Sequence, residues 1–532
     1  MNNQKSIAAR VTAGECVLGI ELGSTRIKAV LIGEDHAPVA MGAYDWENHL
    51  ENGIWTYALF EVWTGIQGAY AALCRDVLEK YGTALTHLAG IGISAMMHGY
   101  LAFDAQDRLL VPFRTWRNTI TADSAKALTE LFHFNIPQRW SIAHLDQAIQ
   151  NGEEHVQNIA FLTTLAGYVH WQLTGQKVLG VGDASGMFPI DSKTNDYDEA
   201  MLAAFDQRAA DMPWKLRDIL PKVLCAGEDA GTLTESGAHL LDPSGKLQAG
   251  TPCCPPEGDA GTGMAATDSV APGTGNVSAG TSVFAMVVLD KALQKVYPEI
   301  DMVTTPTGKP VAMVHCNNCT SDINAWAETM LGFAKAAGAP VERGQVYEAL
   351  FKAAMAGEKD CGGLVNVNYL SGEPITGLAE GRPMMVRLPD ARMTFENFAR
   401  SLVFGAMVTL KLGMDILSAE KVNIRTLLGH GGFFKTPGTA QCLMASALGT
   451  PVSVMETAGE GGPWGMALLA AYRVRKQEGE SLEDYLSRRV FATAAAVTVQ
   501  PNLEDAAGFE AYVKRFIDVL PAEKAAAENL KN

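Results

Sequence analysis

The stretch CCPPEGDAGTGMAA, residues 253–266, sets the carboxylate of Asp259 between two prolines and a run of small residues. Four chemistries fit such a place: a metal site built on the thiols, a redox pair, a helix cap, or a catalytic base. A structural zinc site takes four ligands. Neither the adjacent Cys253 and Cys254 nor the CxxC of Cys316 and Cys319 (HCNNCTSD) has a second ligand pair nearby in sequence. A redox CxxC is expected beside a thioredoxin-like βαβ unit, which the pattern lacks. Nine scattered cysteines fit a reducing compartment, and both pairs read as small buried apolar groups. A cap or a base remains. Small neighbours let a substrate approach Asp259, and the prolines stiffen the chain that presents it.

Two further stretches invite comparison. LGIELGSTRIKAVLI contains Gly23-Ser24-Thr25, and GNVSAGTSVFAMVVL contains Gly280-Thr281-Ser282. Each is a glycine followed by two hydroxyl residues between apolar, strand-like runs. Backbone N–H groups and hydroxyls presented together suit phosphate oxygens. Plain β-turns that favour Ser and Thr are the competing reading. The two lie 280 − 23 = 257 residues apart, close to half the chain, as two related domains would place them. There is no GxxxxGK[ST], and GTGNVSAG has Ser278 where GxGxxG needs its last glycine. P-loop and Rossmann sites are therefore disfavoured.

The elements that must position these residues alternate between strand and helix, an α/β pattern. VLGIELG, IKAVLI, AGIGISA, RTLLGHGG and PVSVME read as strands. Residues 57–81, 158–174, 396–418, 436–448 and 464–475 read as helices, the first two stopped by Gly82 and Gly175. Residues 504–532, rich in Ala, Glu and Lys, read as a surface helix with a frayed tail. With 48% hydrophobic and 19% charged residues, the chain can bury a large core. A net charge of −17 repels nucleic acid phosphates and anionic membranes. No apolar run reads as a membrane span or as an N-terminal signal, so a cytoplasmic protein is expected.

Seven segments, in order, resemble the FGGY family of carbohydrate kinases. GIELGSTRIKAVLI resembles its first phosphate motif, and ISAMMHGYLAFD its sugar-contacting segment, most like the Met-His-Gly of xylulokinases. RTWRNT stands at its Trp-Asn-Asp-like segment, and LTGQKVLGVGDASGMFPID resembles its Leu-Thr-Gly stretch. EGDAGTGMAATDSVAPGTGNVSAGTS resembles the Gly-Asp base and second phosphate motif, and ENFARSLVFGAMVTLKLGMDIL the signature helix. LLGHGGFFKTPGTAQCLMASALGTPV with EGGPWGMALLAAY resembles the adenosine motif.

The resemblance implies two ribonuclease H-like domains of the actin/Hsp70/hexokinase type with a cleft between them. They would span 14–267 and 268–500, followed by a helix and tail at 501–532. It implies ATP and Mg²⁺, with Asp259 as the base that accepts the sugar hydroxyl's proton during phosphoryl transfer. Met97, His98, Trp116, Arg117 and Asn118 would bind the sugar beside Asp259. Gly23, Ser24, Thr25, Lys28, Gly280, Thr281, Ser282, Gly431, Gly432 and Phe434 would bind ATP. Glu21 and Asp259 would reach the Mg²⁺ through water.

Three positions depart from the family pattern. Glu21 stands where Asp is usual, Ala260 where xylulokinases carry an amide, and Trp116-Arg117-Asn118 lacks a carboxylate. The resemblance thus implies a pentulose kinase, for D-xylulose first and L-ribulose or another ketopentose or polyol second. Its partners are a sugar and ATP, with no nucleic acid or membrane; a homodimer is compatible with it. A non-catalytic sugar or nucleotide sensor and a chaperone-like ATPase are the rival classes. The presence of Asp259 argues against the first, and Met97-His98-Gly99 against the second.

Overall fold

A computed structural model describes residues 2–436, 438–455 and 461–531 of the 532. The chain divides into two units. The first comprises Met1–Val270, Asp301–Val311 and Glu460–Thr493; the second comprises Ala271–Ile300, Ala312–Gly459 and Ala494–Asn532.

The first unit is built on a sheet of β1 (Val17–Leu22), β2 (Arg26–Ile32), β3 (Pro38–Asp45), β4 (Gly90–Ala95) and β5 (Glu257–Gly258), in the order β5-β4-β1-β2-β3. β4 runs parallel to β1 and β5, whereas β1, β2 and β3 pair antiparallel. β4 is buried along its whole length, and β1 at all but Glu21. That explains why both read as near-continuous apolar runs. Helix Gly461–Arg475 packs flat on β1 and β4 because Gly19 leaves room for it. A Cβ at Gly19 would lie 2.2 Å from the Pro463 carbonyl and 2.5 Å from Ala467 N. The helix is tied down by Trp464 Nε1, which donates to the His36 carbonyl at 2.8 Å. Helix Leu59–Tyr81 packs on β3 and ends at Gly82, whose φ of 68° supplies the left-handed cap.

The second unit contains β6 (Thr274–Ala279), β7 (Val283–Val288), β8 (Pro310–Cys316), β9 (Thr426–His430), β10 (Val452–Met455) and β11 (Ala496–Val499), in the order β8-β7-β6-β9-β10-β11. The run β8-β7-β6-β9-β10 repeats β3-β2-β1-β4-β5 of the first unit, including the antiparallel β6–β7 and parallel β6–β9 and β9–β10 pairings. The single repeated turn in the sequence is therefore the visible end of a repeated sheet. The chain has the α/β fold of two such units, as the motifs imply.

Helix Phe395–Ala419 is apolar and long enough to cross a membrane, but 72% of its most apolar window is buried, so it is a core helix. Its fully buried Arg400 pairs with Asp505 of helix Leu503–Asn529. Phe509 and Tyr512 of that last helix pack edge-on against Phe404. It is thus an integral part of the second unit and not the surface tail its composition suggests. The helix expected over 158–174 begins only at Leu165, because Phe161–Thr163 is extended and Thr164 Oγ1 caps the Gly167 N–H at 3.2 Å. The expected helix start near 436 and the opening of EGGPWG touch Pro437 and residues 456–460, which lie outside the described residues; helix Thr439–Leu448 is as expected.

Candidate active site

β5 ends at Gly258, and Asp259 is the first residue of helix Asp259–Ala265. Sheet order puts β5 beside β4, so Asp259 meets the segment after Ala95. The Met97 N–H donates to Asp259 Oδ1 at 3.2 Å. The residue is open to solvent, yet protein surrounds it closely enough to raise its carboxyl above the usual range. Hydrogen bonds from the N–H groups of Met97, Ala260 and Asp259, and then the Arg139 charge, oppose that rise.

His98 adopts a φ of 69°, which turns it out of the strand direction. Its Nδ1 lies 3.1 Å from the Gly186 carbonyl, and the ring stacks on Trp140 at 6.2 Å. Burial, reinforced by Arg139, pushes its pKa down to about 3, so the ring is neutral. A carbonyl only accepts; Nδ1 therefore carries the proton, and Nε2 is left as an acceptor.

Glu21 stands across from Lys28 in the β1–β2 register. Burial raises its carboxyl to about 7, and the Asp259 charge adds to the rise; Lys28 and Thr262 oppose it. Gly462 makes room for it, since a Cβ there would lie 1.5 Å from Glu21 Oε2.

Behind Asp259 lie two carboxyls that the sequence reading did not single out. Glu257 accepts the N–H groups of Gly182 and Asp183 at 3.3 and 3.0 Å. Asp183 Oδ2 accepts from Thr164 Oγ1 at 2.7 Å, while its Oδ1 is buried without a partner among the described residues. Burial raises Glu257 to about 8 and Asp183 to about 7. Arg139, also missed, pairs with Asp301, which Asn135 Nδ2 reaches at 3.2 Å. An acid inside the apolar PPEG run was the one available signal for Glu257. Asp183 lies within the LTGQKVLGVGDASGMFPID segment, whose resemblance was its signal; Arg139 had none, because its partners are distant in sequence. A cavity of about 560 Å³ lined by Ser6, Arg10, Cys16, Glu34 and Asp35 lies at the other end of β1 and β2 and shares none of these groups.

Of the Trp116-Arg117-Asn118 segment, Trp116 is 38% exposed, and the Arg117 guanidinium covers the Trp55 ring at 3.8 Å. Asn118 is buried and bonds the Trp55 N–H, the Trp55 carbonyl and the Thr115 carbonyl, each within 3.0 Å. Its amide holds the Ile54–Thr56 strand and has little left for a sugar.

The two hydroxyl turns share one construction. In the first, Trp46 Nε1 donates to the Gly23 carbonyl at 2.7 Å, and Tyr57 Oη donates to the Ser24 carbonyl at 2.6 Å. In the second, Thr320 N and Oγ1 donate to the Gly280 carbonyl at 3.0 and 2.7 Å, and Cys319 N donates to the Thr281 carbonyl at 3.0 Å. In a trans peptide the C=O and the next N–H point in opposite directions. Holding the carbonyls from behind thus turns the following N–H groups forward, the arrangement an anion needs. Gly431, at a φ of 98°, lies so close to β6 that a Cβ would be 2.4 Å from the Ala279 carbonyl. Gly432 opens the short helix Gly432–Lys435. Phe434 is buried against Gly429 and packs edge-on to Phe433, so its ring belongs to the core around this loop. The thiols of Cys253, Cys254, Cys316 and Cys319 are unpaired and buried, and burial pushes each of them up.

Comparison with known proteins adds independent findings. The profile for the FGGY family of carbohydrate kinases, N-terminal domain, matches residues 16–259, and that for the C-terminal domain matches residues 275–474. A xylulose kinase of Haemophilus influenzae is 24% identical over 396 residues, covering 70% of this chain and 76% of that protein. Among solved structures, a ligand-bound xylulose kinase from Lactobacillus acidophilus superposes with a TM-score of 0.79 at 17% identity, covering 97% of this chain and all of that one. A gluconate kinase from the same organism superposes with a TM-score of 0.78 at 18% identity, covering 97% and 99%.

Proposed function

The chain belongs to the FGGY family of carbohydrate kinases, and from that premise we propose that it transfers the γ-phosphate of ATP to the terminal hydroxyl of a pentulose, D-xylulose. L-Ribulose is the second choice. The observation that carries this reading is the Met97 N–H on Asp259 Oδ1, which joins the carboxylate to the Met97-His98-Gly99 segment.

The residues divide the work. Asp259, reachable by solvent and therefore by a substrate, accepts the proton of the attacking hydroxyl as the new P–O bond forms. His98, neutral with Nε2 as acceptor, takes a hydrogen bond from a second sugar hydroxyl and fixes the sugar's orientation. Trp116 offers an exposed apolar face to the sugar, and Arg117 lies beside it. Ser24, Thr25 and Lys28 in the first unit are the phosphate-binding candidates there, as Thr281 and Ser282 are in the second, where the Gly431-Gly432 loop lets the nucleoside approach.

The carboxyls fit a divalent cation: burial raises Glu21, and the Asp259 charge adds a repulsion that a cation relieves. Among the described residues no three His, Cys, Asp or Glu side chains cluster to hold a metal alone, so Glu21 and Asp259 would hold Mg²⁺ through water. When bound, Mg²⁺ would supply positive charge that offsets the charge of the phosphates. Use of ATP and a free sugar supports a cytoplasmic location.

The test is sugar-dependent ADP release from Mg-ATP. The sugars are D-xylulose, L-ribulose, D-ribulose, L-xylulose, glycerol, erythritol and D-gluconate, with Asp259→Ala in parallel. Stimulation by D-xylulose above the other sugars, absent in the variant, is the expected result. Stimulation by another sugar replaces the substrate assignment. No stimulation, together with sugar binding by calorimetry, replaces the kinase with a sensor.

A further inference from the structure

The HCNNCTSD segment, whose thiols are inert, has an unassigned role. We propose that Asn318 and Glu373 are positioning residues that hold the Gly280-Thr281-Ser282 turn in its phosphate-binding conformation. This rests on the kinase reading above.

The segment leaves β8 at Cys316 and enters helix Ser321–Ala336. Cys319 and Thr320 make the three hydrogen bonds to the turn's carbonyls described above, and Ser321 Oγ adds a long one to the Thr281 carbonyl at 3.5 Å. These bonds aim the Thr281 and Ser282 N–H groups forward, so the turn is only as well placed as the segment behind it.

What holds the segment is side-chain chemistry. Asn318 Oδ1 accepts from Leu370 N, Ser371 N and Ser371 Oγ at 2.9, 3.1 and 3.2 Å. Its Nδ2 donates to the Ser371 carbonyl at 3.2 Å and to Glu373 Oε2 at 3.1 Å. Glu373 Oε2 also accepts the N–H groups of Asn317 and Asn318 at 3.0 and 3.3 Å. Both side chains are buried, Glu373 completely. The Glu373 carboxylate takes these hydrogen bonds from amides, with no ion pair among the described residues, and burial raises its carboxyl to about 7. A buried carboxylate without a cation is costly. Its placement one hydrogen-bond layer behind the phosphate turn has a reason if it fixes that turn. An apolar core would satisfy packing alone.

The experiment measures ADP affinity by calorimetry on the full-length protein, together with KM for the sugar. Asn318→Ala and Glu373→Ala should weaken ADP binding at least tenfold, with the sugar KM within twofold of wild type. Glu373→Gln, whose amide oxygen accepts the same N–H groups, should recover most of the loss. Leu417→Ala, a buried packing change in the same unit, should lower thermal stability and leave ADP affinity unchanged. Should Asn318→Ala or Glu373→Ala fail to fold, Thr320→Val removes only the Oγ1 bond to Gly280 and should still weaken ADP at least threefold. Folded variants that bind ADP like wild type overturn the positioning role, as does an equal loss in Leu417→Ala. Wild-type protein that binds no ADP overturns the kinase reading, and this inference with it.

Discussion

Gly462→Ala is a sharp perturbation, because it adds one methyl group and leaves every proposed site side chain chemically unchanged. The new Cβ would lie 1.5 Å from Glu21 Oε2 and 2.5 Å from its Cδ. Carbon–oxygen contact needs roughly 3.3 Å, so the Glu21 carboxylate must retreat by roughly 1.8 Å or push helix Gly461–Arg475 outward. The helix resists, because Gly19 already has it within 2.2 Å of the position a Cβ would take, and Trp464 anchors it to His36. The carboxylate moves instead. A displacement of that size at the group proposed to face Mg²⁺ should cost on the order of 100-fold in kcat, about 2.7 kcal/mol of transition-state stabilisation. The assay is sugar-dependent ADP release across a Mg²⁺ titration. The expected result is a kcat loss near that size with a higher Mg²⁺ requirement. Glu21→Gln added to Gly462→Ala should cost little more than the worse single change, since both act on one group. Gly462→Ala within threefold of wild-type kcat, at unchanged Mg²⁺ dependence, refutes the role given to Glu21.

Asp259→Asn keeps the shape and the Met97 contact but removes the base; kcat should fall about 10²- to 10⁴-fold with little change in sugar KM, measured by the same assay. Asp505→Ala leaves Arg400 buried and unpaired and should cost about 3–5 kcal/mol in urea unfolding of the second unit. Glu257 has a folded pKa raised to about 8 from an ordinary 4.5, so the folded state holds its proton where the unfolded chain has lost it. Stability from this group is complete below about pH 4.5 and declines as pH rises toward 8, by up to about 1.4 kcal/mol per pH unit. The buried neutral histidines His98, His144 and His170 have lowered pKa values and oppose this only below their ordinary 6.5. Urea midpoints for the first unit should therefore fall between pH 7 and 8, and Glu257→Gln should flatten that slope.

The sequence by itself determined the parts of this protein whose physics is local. Apolar runs with glycines at their ends became β1, β4 and β9. Gly82 and Gly175 stopped their helices through the left-handed conformation only glycine adopts cheaply. Asp259 and Met97-His98-Gly99 were legible because each sits in a short motif at the end of a strand. One repeated Gly-hydroxyl-hydroxyl turn was enough to mark two related units, because a turn's chemistry depends on three adjacent residues.

Tertiary structure decided what depends on neighbours far apart in the chain. Asn118 could have met a sugar as well as a strand, and the Trp55 backbone decided for the strand. The last helix looked like a solvated tail by composition. Asp505 and Tyr512 bind it to Arg400 and Phe404, more than a hundred residues away. The proton on His98 follows from the Gly186 carbonyl 88 residues on, and the state of Glu21 from its burial, with the Asp259 charge adding to it. Burial and charge act through space, so the groups that set a side chain's ionisation or use up its hydrogen bonds leave no mark at its own position in the sequence.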